Sequence, residues 1–562
     1  MKKRWEYYEQ NKELVEKIVA KHNISKLLAK ILINRNIIED KQIEIFLNPT
    51  RNDFYDPFLM NDMDKAVNRI IEAIKNKEKT IIYGDYDVDG ITSITVLKKF
   101  LKERGLEVDY YIPNRLEEGY GLNCEAIEKI AKKEYKLMIT VDCGISGIEE
   151  IKIANNYGIE TIITDHHEPL EELPSAYAII NPKRKDNTYP FRGLAGVGVV
   201  FKLIQALSVK LGLDKKEYLK FLDIVCIGTI SDIVPLIDEN RVISKLGLKL
   251  VEVTKNIGLK ELIKEIGYKN IDSTMISFGI APRINACGRM GEQEEALRLF
   301  LTTSKEEANK ITKKLNEYNI KRQEKEKIIF DETIKELENK NLDKLNSIVL
   351  SGENWHHGVI GIVASRITEK FFKPTILIGI EGDEGKGSGR SIPGFDLHEA
   401  LVESSDYLKK YGGHEMAVGL SLDKDKIQEF KKHFEKIVEA KDVKQLQPVI
   451  NIETEITKKD LNKETIEQIK LLEPFGEKNK QPILAYKNLK INSIRALSDG
   501  KHLKLMLKDG NDIINAIGFN LGDLANEYLI GDKIDIAGTL ELNTFNGQES
   551  IQINLKDIMK SI

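Results

Sequence analysis

Three carboxylates at alternate positions stand in the segment Asp85-Tyr86-Asp87-Val88-Asp89-Gly90. Like charges this close repel, so a fold that holds them together needs an opposing charge. A hard divalent cation bound through oxygen ligands supplies one. Taken alone, the segment also reads as a solvated acidic turn that caps a helix. Three later segments end in the same chemistry. Lys136–Val141 leads into Asp142-Cys143-Gly144, Ile159–Thr164 into Asp165-His166-His167, and Phe221–Ile230 into Ser231-Asp232. Carboxylates with an imidazole suit Mn²⁺ or Mg²⁺ rather than zinc, which favours cysteine and histidine. Two such ions would activate water and neutralise a phosphate.

Bringing these groups together calls for a sheet. Thr80-Ile81-Ile82-Tyr83 and the three runs just named are predicted as buried strands, each delivering an Asp, or Asp plus His, at its carboxyl end. Functional groups of an open parallel sheet gather beyond those ends. Gly90 lets the chain turn sharply into a helix over Ile91–Leu97. From about 61 to 260, strand-like and helix-like runs alternate, the pattern of a doubly wound α/β sheet. Gly193–Leu203 starts glycine-rich and becomes helical. Such a helix start can hold a phosphate or can pack closely on a sheet, and the sequence leaves both readings open.

The four motifs, Asp85 to Gly90, the Asp142 strand end, Asp165-His166-His167 and Asp232, resemble those of the DHH phosphoesterase superfamily. Within it they resemble the RecJ family of single-strand-specific 5′→3′ DNA exonucleases. Ala281–Met290 resembles that family's connector motif, and Trp355–Arg366 the start of its second catalytic domain. Gly387-Ser388-Gly389-Arg390-Ser391 and Gly412-Gly413-His414 resemble its substrate-binding loops. The resemblance implies two metal ions, with Asp142 bridging them. Asp87, Asp89, His166 and Asp232 would complete the ligand set. Tyr83 stands where many members place a metal-binding histidine, which leaves Asp85 as a substitute ligand or one ion more weakly held. Asp142, Asp89 and His167 are the expected catalytic residues, with His167 serving the scissile phosphate or the leaving group. Arg115, Arg283, Asn285 and Arg289 are expected on the substrate, as are His357, Ser388, Arg390 and His414 from the second domain. Arginine suits phosphate because its planar fork donates two hydrogen bonds at once. For any single arginine, a surface ion pair is the plainer reading.

The remaining texture sets the frame. With 562 residues the chain is too long for one core. The expected architecture is two α/β domains, a DHH catalytic domain and a DHH-associated domain, joined by a long helix and followed by an OB-like β-barrel. The expected boundaries are a helical lead over 1–60, the catalytic domain over 61–300 and the connecting helix over 301–345. The DHH-associated domain follows over 346–442 and the barrel over 443–562. Ser304 to about Leu345 is highly charged with Ile and Leu at helical spacing, and its seam is too irregular for a coiled coil. Beyond about 445, short runs alternate at period two between polar turns, as in Leu503–Leu507 and Ile534–Gly538. Phe475, Phe519 and Phe545 are candidate stacking platforms there, each more readily explained as core.

Composition narrows the class. Lys plus Arg is 85 and Asp plus Glu is 89, a net charge of −4, so any nucleic-acid path must be a localised positive track. Cys124, Cys143, Cys226 and Cys287 form no CxxC pair and read as reduced thiols. No apolar run reaches membrane-spanning length, and the polar start lacks the apolar stretch of a signal peptide. A cytoplasmic monomer is expected, with single-stranded DNA as substrate and a single-strand-binding protein and a helicase as partners. Two other readings compete. One is a DHH phosphodiesterase for short oligonucleotides or cyclic dinucleotides, against which the barrel region argues. The other is an inactive scaffold that only binds strands, against which the full set of acidic residues argues.

Overall fold

A computed structural model describes residues 3–115, 118–545 and 548–561. The described chain divides into two compact units. The larger takes 55–234 and 246–447. Among the described residues its first half is built on five parallel strands: β1 (Thr80–Gly84), β2 (Val108–Tyr111), β3 (Leu137–Val141), β4 (Glu160–Thr164) and β5 (Ala178–Ile180), in the order β2-β1-β3-β4-β5. β1 and β3 are buried at every position, as expected of parallel strands covered on both faces. Helices α1 (Val88–Lys102), α2 (Gly196–Lys210) and α3 (Leu222–Ser231) belong to the same half.

One expectation is corrected here. The apolar run Phe221–Ile230 predicts a strand, and the structure makes it α3, whose residues Leu222–Ile230 are all buried. An apolar run without polar interruptions has no period, so strand and buried helix look alike in sequence.

Helix α4 (Ala281–Arg289) follows a π-helical turn, Met275–Ile280, and leads by way of Gln293–Leu301 to α5 (Lys305–Glu338). The 34 residues of α5 make it about 50 Å long. Ser304 caps it by accepting from Glu307 N, and its buried side chains include Ala308, Ile311, Leu315, Ile329 and Leu337. The second half adds β6 (Ile348–Glu353), α6 (His357–Phe371), β7 (Thr375–Glu381), β8 (Glu384–Arg390), β9 (Lys410–His414), β10 (Ala417–Asp423) and α7 (Ile427–Ala440). Its strand order is β9-β10-β8-β7-β6, with only the β6–β7 pair parallel among the described residues.

A second correction falls on β8. The glycines of Gly387-Ser388-Gly389-Arg390 predict a loop, and the segment is strand paired on both sides. Its glycines make room for neighbours. A Cβ at Gly387 would lie 2.8 Å from Leu420, and one at Gly389 would lie 2.7 Å from Val418. With its backbone amides in the sheet, the segment has only the side chains of Ser388 and Arg390 left to offer a ligand.

The smaller unit gathers the described parts of 1–54, 235–245 and 448–562. Strands Leu484–Leu497, His502–Asp509, Asp512–Gly518, Gln548–Lys560 and Lys533–Phe545 pair in that order, and the last pairs with the first, closing a barrel. The N-terminal helices do not stand apart from it. Leu28, Ile31, Leu32 and Ile43 share one core with Leu472, Leu484, Leu503, Leu505, Ile534 and Ile536. Strand Arg4–Tyr7 pairs in parallel with Val449–Ile452. Arg241 is buried to 1% exposure, stacks 3.7 Å over Phe46, and donates to the carbonyls of Phe46, Leu471, Leu472 and Glu473. Phe475 packs against this core. Phe519 is half exposed, edge-on to His502. The Phe545 side chain lies outside the described residues.

Candidate metal centre and phosphate cluster

Asp85 follows β1, Asp142 follows β3 and Asp165 follows β4, so register alone brings them to one edge of the sheet. Asp87 caps α1, accepting from Asp89 N at 2.9 Å and Gly90 N at 3.1 Å. Asp89, on the first turn of α1, accepts from Gly196 N at 2.7 Å and Val197 N at 2.8 Å. The glycine-rich start of α2 therefore spends these two free amides on a carboxylate of the cluster. Gly196 is also needed for space, since a Cβ there would lie 2.5 Å from Asp142 Oδ1. Asp142 itself sits at φ 59°, a left-handed conformation that few non-glycine residues adopt.

His166 is the centre of the group. Its Nε2 lies 3.2 Å from Asp142 Oδ1, 3.5 Å from Asp232 Oδ2 and 3.9 Å from Asp89 Oδ2. Donor atoms of Asp142, His166 and His167 lie within 4.8 Å of one another, as do those of Asp89, His166 and Asp232, and those of Asp85, Asp87 and Asp142. All six expected metal-binding residues thus converge. Tyr83 does not join them, being buried with its hydroxyl donating to the Gly121 carbonyl at 3.1 Å.

Burial, then the charge of Asp87, pushes the Asp89 carboxyl up to about 7. Burial followed by the neighbouring aspartates raises Asp142 and Asp232, and burial followed by Asp87 raises Asp85. Burial pushes the His166 imidazole down to about 3, with His167 adding to the effect, so its ring is neutral near pH 7 and can act as a ligand. Asp85 Oδ1, Asp142 Oδ1 and His166 Nε2 are buried without a hydrogen-bond partner. Orphaned acceptors crowded in this way are costly unless a cation completes them. The donor set, carboxylate-rich with one neutral imidazole, fits Mn²⁺ or Mg²⁺.

His167 faces differently. Its Nδ1 lies 2.7 Å from Asp165 Oδ1, and Tyr120 Oη lies 3.0 Å from Nδ1 and 3.2 Å from Nε2. Burial lowers its proton affinity, but the hydrogen bond and charge of Asp165 outweigh that and leave it raised. Asp165 also accepts from Ile145 N, His166 N and His167 N, which fixes it in place. Sequence reasoning gives Asp165 no role of its own, although its adjacency to two histidines is the available signal. Tyr120 and Asn181, which donates to the His167 carbonyl at 2.9 Å, carry no signal in sequence.

A second cluster carries the opposite charge. Arg115 stacks 5.1 Å over the ring of Tyr86, inside the first acidic motif. Arg289, at the end of α4, donates to the Gly358 carbonyl at the start of α6. Burial, then Arg115 and Arg322, and to a smaller extent Arg390, lower the Arg289 guanidinium to about 10. Burial and Arg115 lower Arg390. Arg390 donates to Ser388 Oγ at 3.1 Å, and α6 meets both through Gly361, where a Cβ would lie 2.9 Å from Ser388 Oγ. A cleft of about 710 Å³ runs beside them, lined by Arg115, Trp355, His356, His357 and Lys386 among others. His357 Nδ1 is buried without a hydrogen-bond partner, and its Nε2 lies 3.3 Å from Glu381. The register sets His414 across Ala417 from Arg390, on exposed strand β9.

Two expected substrate residues are otherwise engaged. Arg283 donates to Asn316 Oδ1 and to the Gly279 carbonyl, and Asn285 Oδ1 accepts from Val88 N at 3.3 Å. Arg322 and His356 are not singled out by sequence. Arg322 is hidden in the charged texture of α5, where it donates to Glu326 at 2.7 Å, and His356 caps α6.

The sheet, its acidic edge and the paired second half define a class: residues 79–229 match the DHH family, N-terminal domain, and residues 344–440 match the DHHA1 domain. Residues 452–557 match the RecJ OB domain. The chain is 38% identical to the single-stranded-DNA-specific exonuclease RecJ of Bacillus subtilis (strain 168), over 99% of this chain and 71% of that one. It is 32% identical to the protein of that name in Escherichia coli (strain K12), over 89% and 90%. The crystal structure of RecJ in complex with Mn²⁺ from Thermus thermophilus superposes with a TM-score of 0.87 at 29% identity, covering 100% of this chain and 80% of that one. This chain belongs to the RecJ family. Among the described residues no helix is long and apolar enough to cross a membrane.

Proposed function

We propose that the chain is a metal-dependent exonuclease that hydrolyses phosphodiester bonds of single-stranded DNA from the 5′ end, in recombination and repair. The observation that carries this reading is the adjacency of two unsatisfied charge clusters, linked where Arg115 stacks on Tyr86 of the acidic motif. One would hold cations and the other phosphates. Asp85, Asp87, Asp89, Asp142, His166 and Asp232 would hold two Mn²⁺ or Mg²⁺ ions. When bound, the ions supply water activation and charge neutralisation on the phosphate.

The side chains divide the remaining work. Asp165 accepts the Nδ1 proton of His167, so a protonated ring carries its second proton on Nε2. That proton lies beside Tyr120 Oη and would pass from it to the scissile phosphate or the leaving oxygen when substrate is bound. Arg289, Ser388 and Arg390 would grip a terminal phosphate, which favours the 5′ end. Arg115 would hold a phosphate between the two clusters. The barrel favours a longer strand over a very short oligonucleotide. Action as a cytoplasmic monomer, with a single-strand-binding protein and a helicase nearby, belongs to the same proposal.

Digestion of 5′- and 3′-end-labelled strands tests it. Labelled mononucleotide should appear first from the 5′-labelled single strand, only with Mn²⁺ or Mg²⁺, and the duplex should persist. Equal release from both ends, or release in EDTA, overturns the reading.

A further inference from the structure

Strand β6 is the outer strand of its sheet, paired only with β7 among the described residues. Ile348 N donates to the Pro374 carbonyl, so Ile348, Leu350 and Gly352 turn their backbone groups toward β7. In a parallel ladder the intervening residues, Val349 and Ser351, then turn theirs outward. Sheet edges are commonly guarded by charge or proline on the strand itself. Ile348–Gly352 of β6 carries neither, and the one charge on the strand, Glu353 at its end, is paired with Lys424 at 2.8 Å.

A groove of about 440 Å³ follows this edge between the end of α5 and α7. Its floor is apolar. Ile348 and Leu350 pack with Leu337 of α5, and Val349 packs on the cluster that holds Phe430 and Phe434 of α7. Its rim is basic, with Lys340 following α5 and Lys431, Lys432 and Lys436 from α7. Glu435 is the acidic residue of the lining, and it is already taken by Asn346 N and Ser347 N. Lys340 pairs with Glu336, and Lys431 donates to Ser351 Oγ at 3.0 Å. Lys432 and Lys436 are exposed and have no carboxylate in ion-pair range among the described residues. Because these lysines stand beside the strand rather than on it, they frame the edge and leave its amides open.

We propose that this edge is a docking site for an extended acidic peptide of a partner protein, which adds as a strand to β6 and sets its carboxylates against Lys432 and Lys436. Main-chain pairing would supply affinity and the lysine rim would select acidic over basic sequence. A single-stranded nucleic acid would meet the same lysines, but it has no amide ladder to complete, and the lining offers it no aromatic ring for stacking. The proposal stands independently of the exonuclease reading.

The probe is a fluorescein-labelled peptide of alternating Asp and Val, about eight residues long, near the usual strand length. Fluorescence polarisation with the full chain should report binding. The K432E/K436E variant should bind about tenfold or more weakly while digesting DNA at the unaltered rate. A peptide with proline at alternate positions should not bind, because it lacks the donors of the ladder. Hydrogen exchange should slow at the Val349 and Ser351 amides when the acidic peptide is added. Equal binding by the double variant, or unchanged exchange at those two amides, overturns the proposal. So does an unlabelled single-stranded oligonucleotide that displaces the peptide and itself binds tenfold more weakly to the double variant, since the groove would then be a phosphate site.

Discussion

Around His166, buried aspartates hold their protons too tightly; around Arg289, buried arginines hold theirs too loosely. Both clusters crowd charges of one sign where water cannot relieve them. They differ in how they are held. The acidic side chains leave strand ends and helix starts, and backbone amides of Gly90, Ile145, Gly196 and Val197 fix several of them. The basic ones arrive on longer side chains from Arg115, α4 and β8, and few fixed donors or acceptors restrain them. The acidic end is therefore preorganised for ions of defined size. The basic end is assembled from two α/β halves on longer, less restrained side chains.

Breaking the acidic side should have the largest effect. Asp142→Ala removes the residue shared by two of the ligand groups, and hydrolysis of end-labelled single strands should fall by about a thousandfold or more, taking several kcal/mol of lost charge stabilisation. Circular dichroism should show the fold retained, and strand binding measured in EDTA should change little. Activity within tenfold of the parent would remove Asp142 from the mechanism.

Breaking the basic side should cost less. Arg390→Ala removes charge-assisted hydrogen bonds worth about 1.5–3 kcal/mol each, so kcat/KM on a 5′-phosphorylated strand should fall by roughly 10- to 100-fold. The same variant should lose much less on a strand with a 5′-hydroxyl. Equal losses on both substrates would place Arg390 elsewhere on the DNA path.

A comparable but distinct change is expected from Asp165→Asn, which leaves Asp85, Asp87, Asp89, Asp142, His166 and Asp232 in place and releases His167. Outer partners of this kind typically matter by about 10- to 100-fold. The alkaline limb of the pH–rate profile should move to lower pH, because Asp165 is what raises the His167 proton affinity. A rate loss with an unmoved profile would make Asp165 merely structural.

The smallest effect is expected in proton binding. The Asp89 carboxyl rises from an ordinary value of 3.8 to about 7 on folding. Between those values the folded protein binds more protons than the unfolded chain, so metal-free stability should fall as pH rises through that window. Metal ligation requires the deprotonated form and displaces the proton. Mn²⁺ affinity should therefore rise about tenfold per pH unit below 7, and Mn²⁺ should raise the melting temperature more at pH 8 than at pH 6. Calorimetric titration at the two pH values checks it; equal affinities would mean that no proton is displaced.

The sheet is legible in the sequence because parallel strands buried on both faces read as Val- and Ile-rich runs, and because Asp142 and Asp165 follow such runs directly. The partner of Asp89 is not legible. Its carboxylate is met by amides more than a hundred positions later, and an amide leaves no mark in composition. The Phe221–Ile230 run misleads because complete burial erases periodicity. Gly387 and Gly389 mislead for a related reason: glycine marks a turn or a close approach, and only the packing against Leu420 and Val418 tells which. The N-terminal helices read as a lead into the catalytic domain. They share a core with the barrel, so removing 445–562 would strip Leu28, Ile31 and Leu32 of neighbours.

By itself the sequence determined which side chains are acidic, basic or aromatic, that four segments end in metal-binding chemistry, and that strand and helix alternate before a barrel. These are local properties, carried by residue type and by spacing along a few neighbours. The tertiary structure alone decided that His166 stands among Asp89, Asp142 and Asp232, that His167 turns to Asp165, and that Arg115, Arg289 and Arg390 meet. Side-chain direction, burial and the loss of water depend on contacts between segments far apart in the chain, and those contacts set both the proton affinities and the charge that each cluster still lacks.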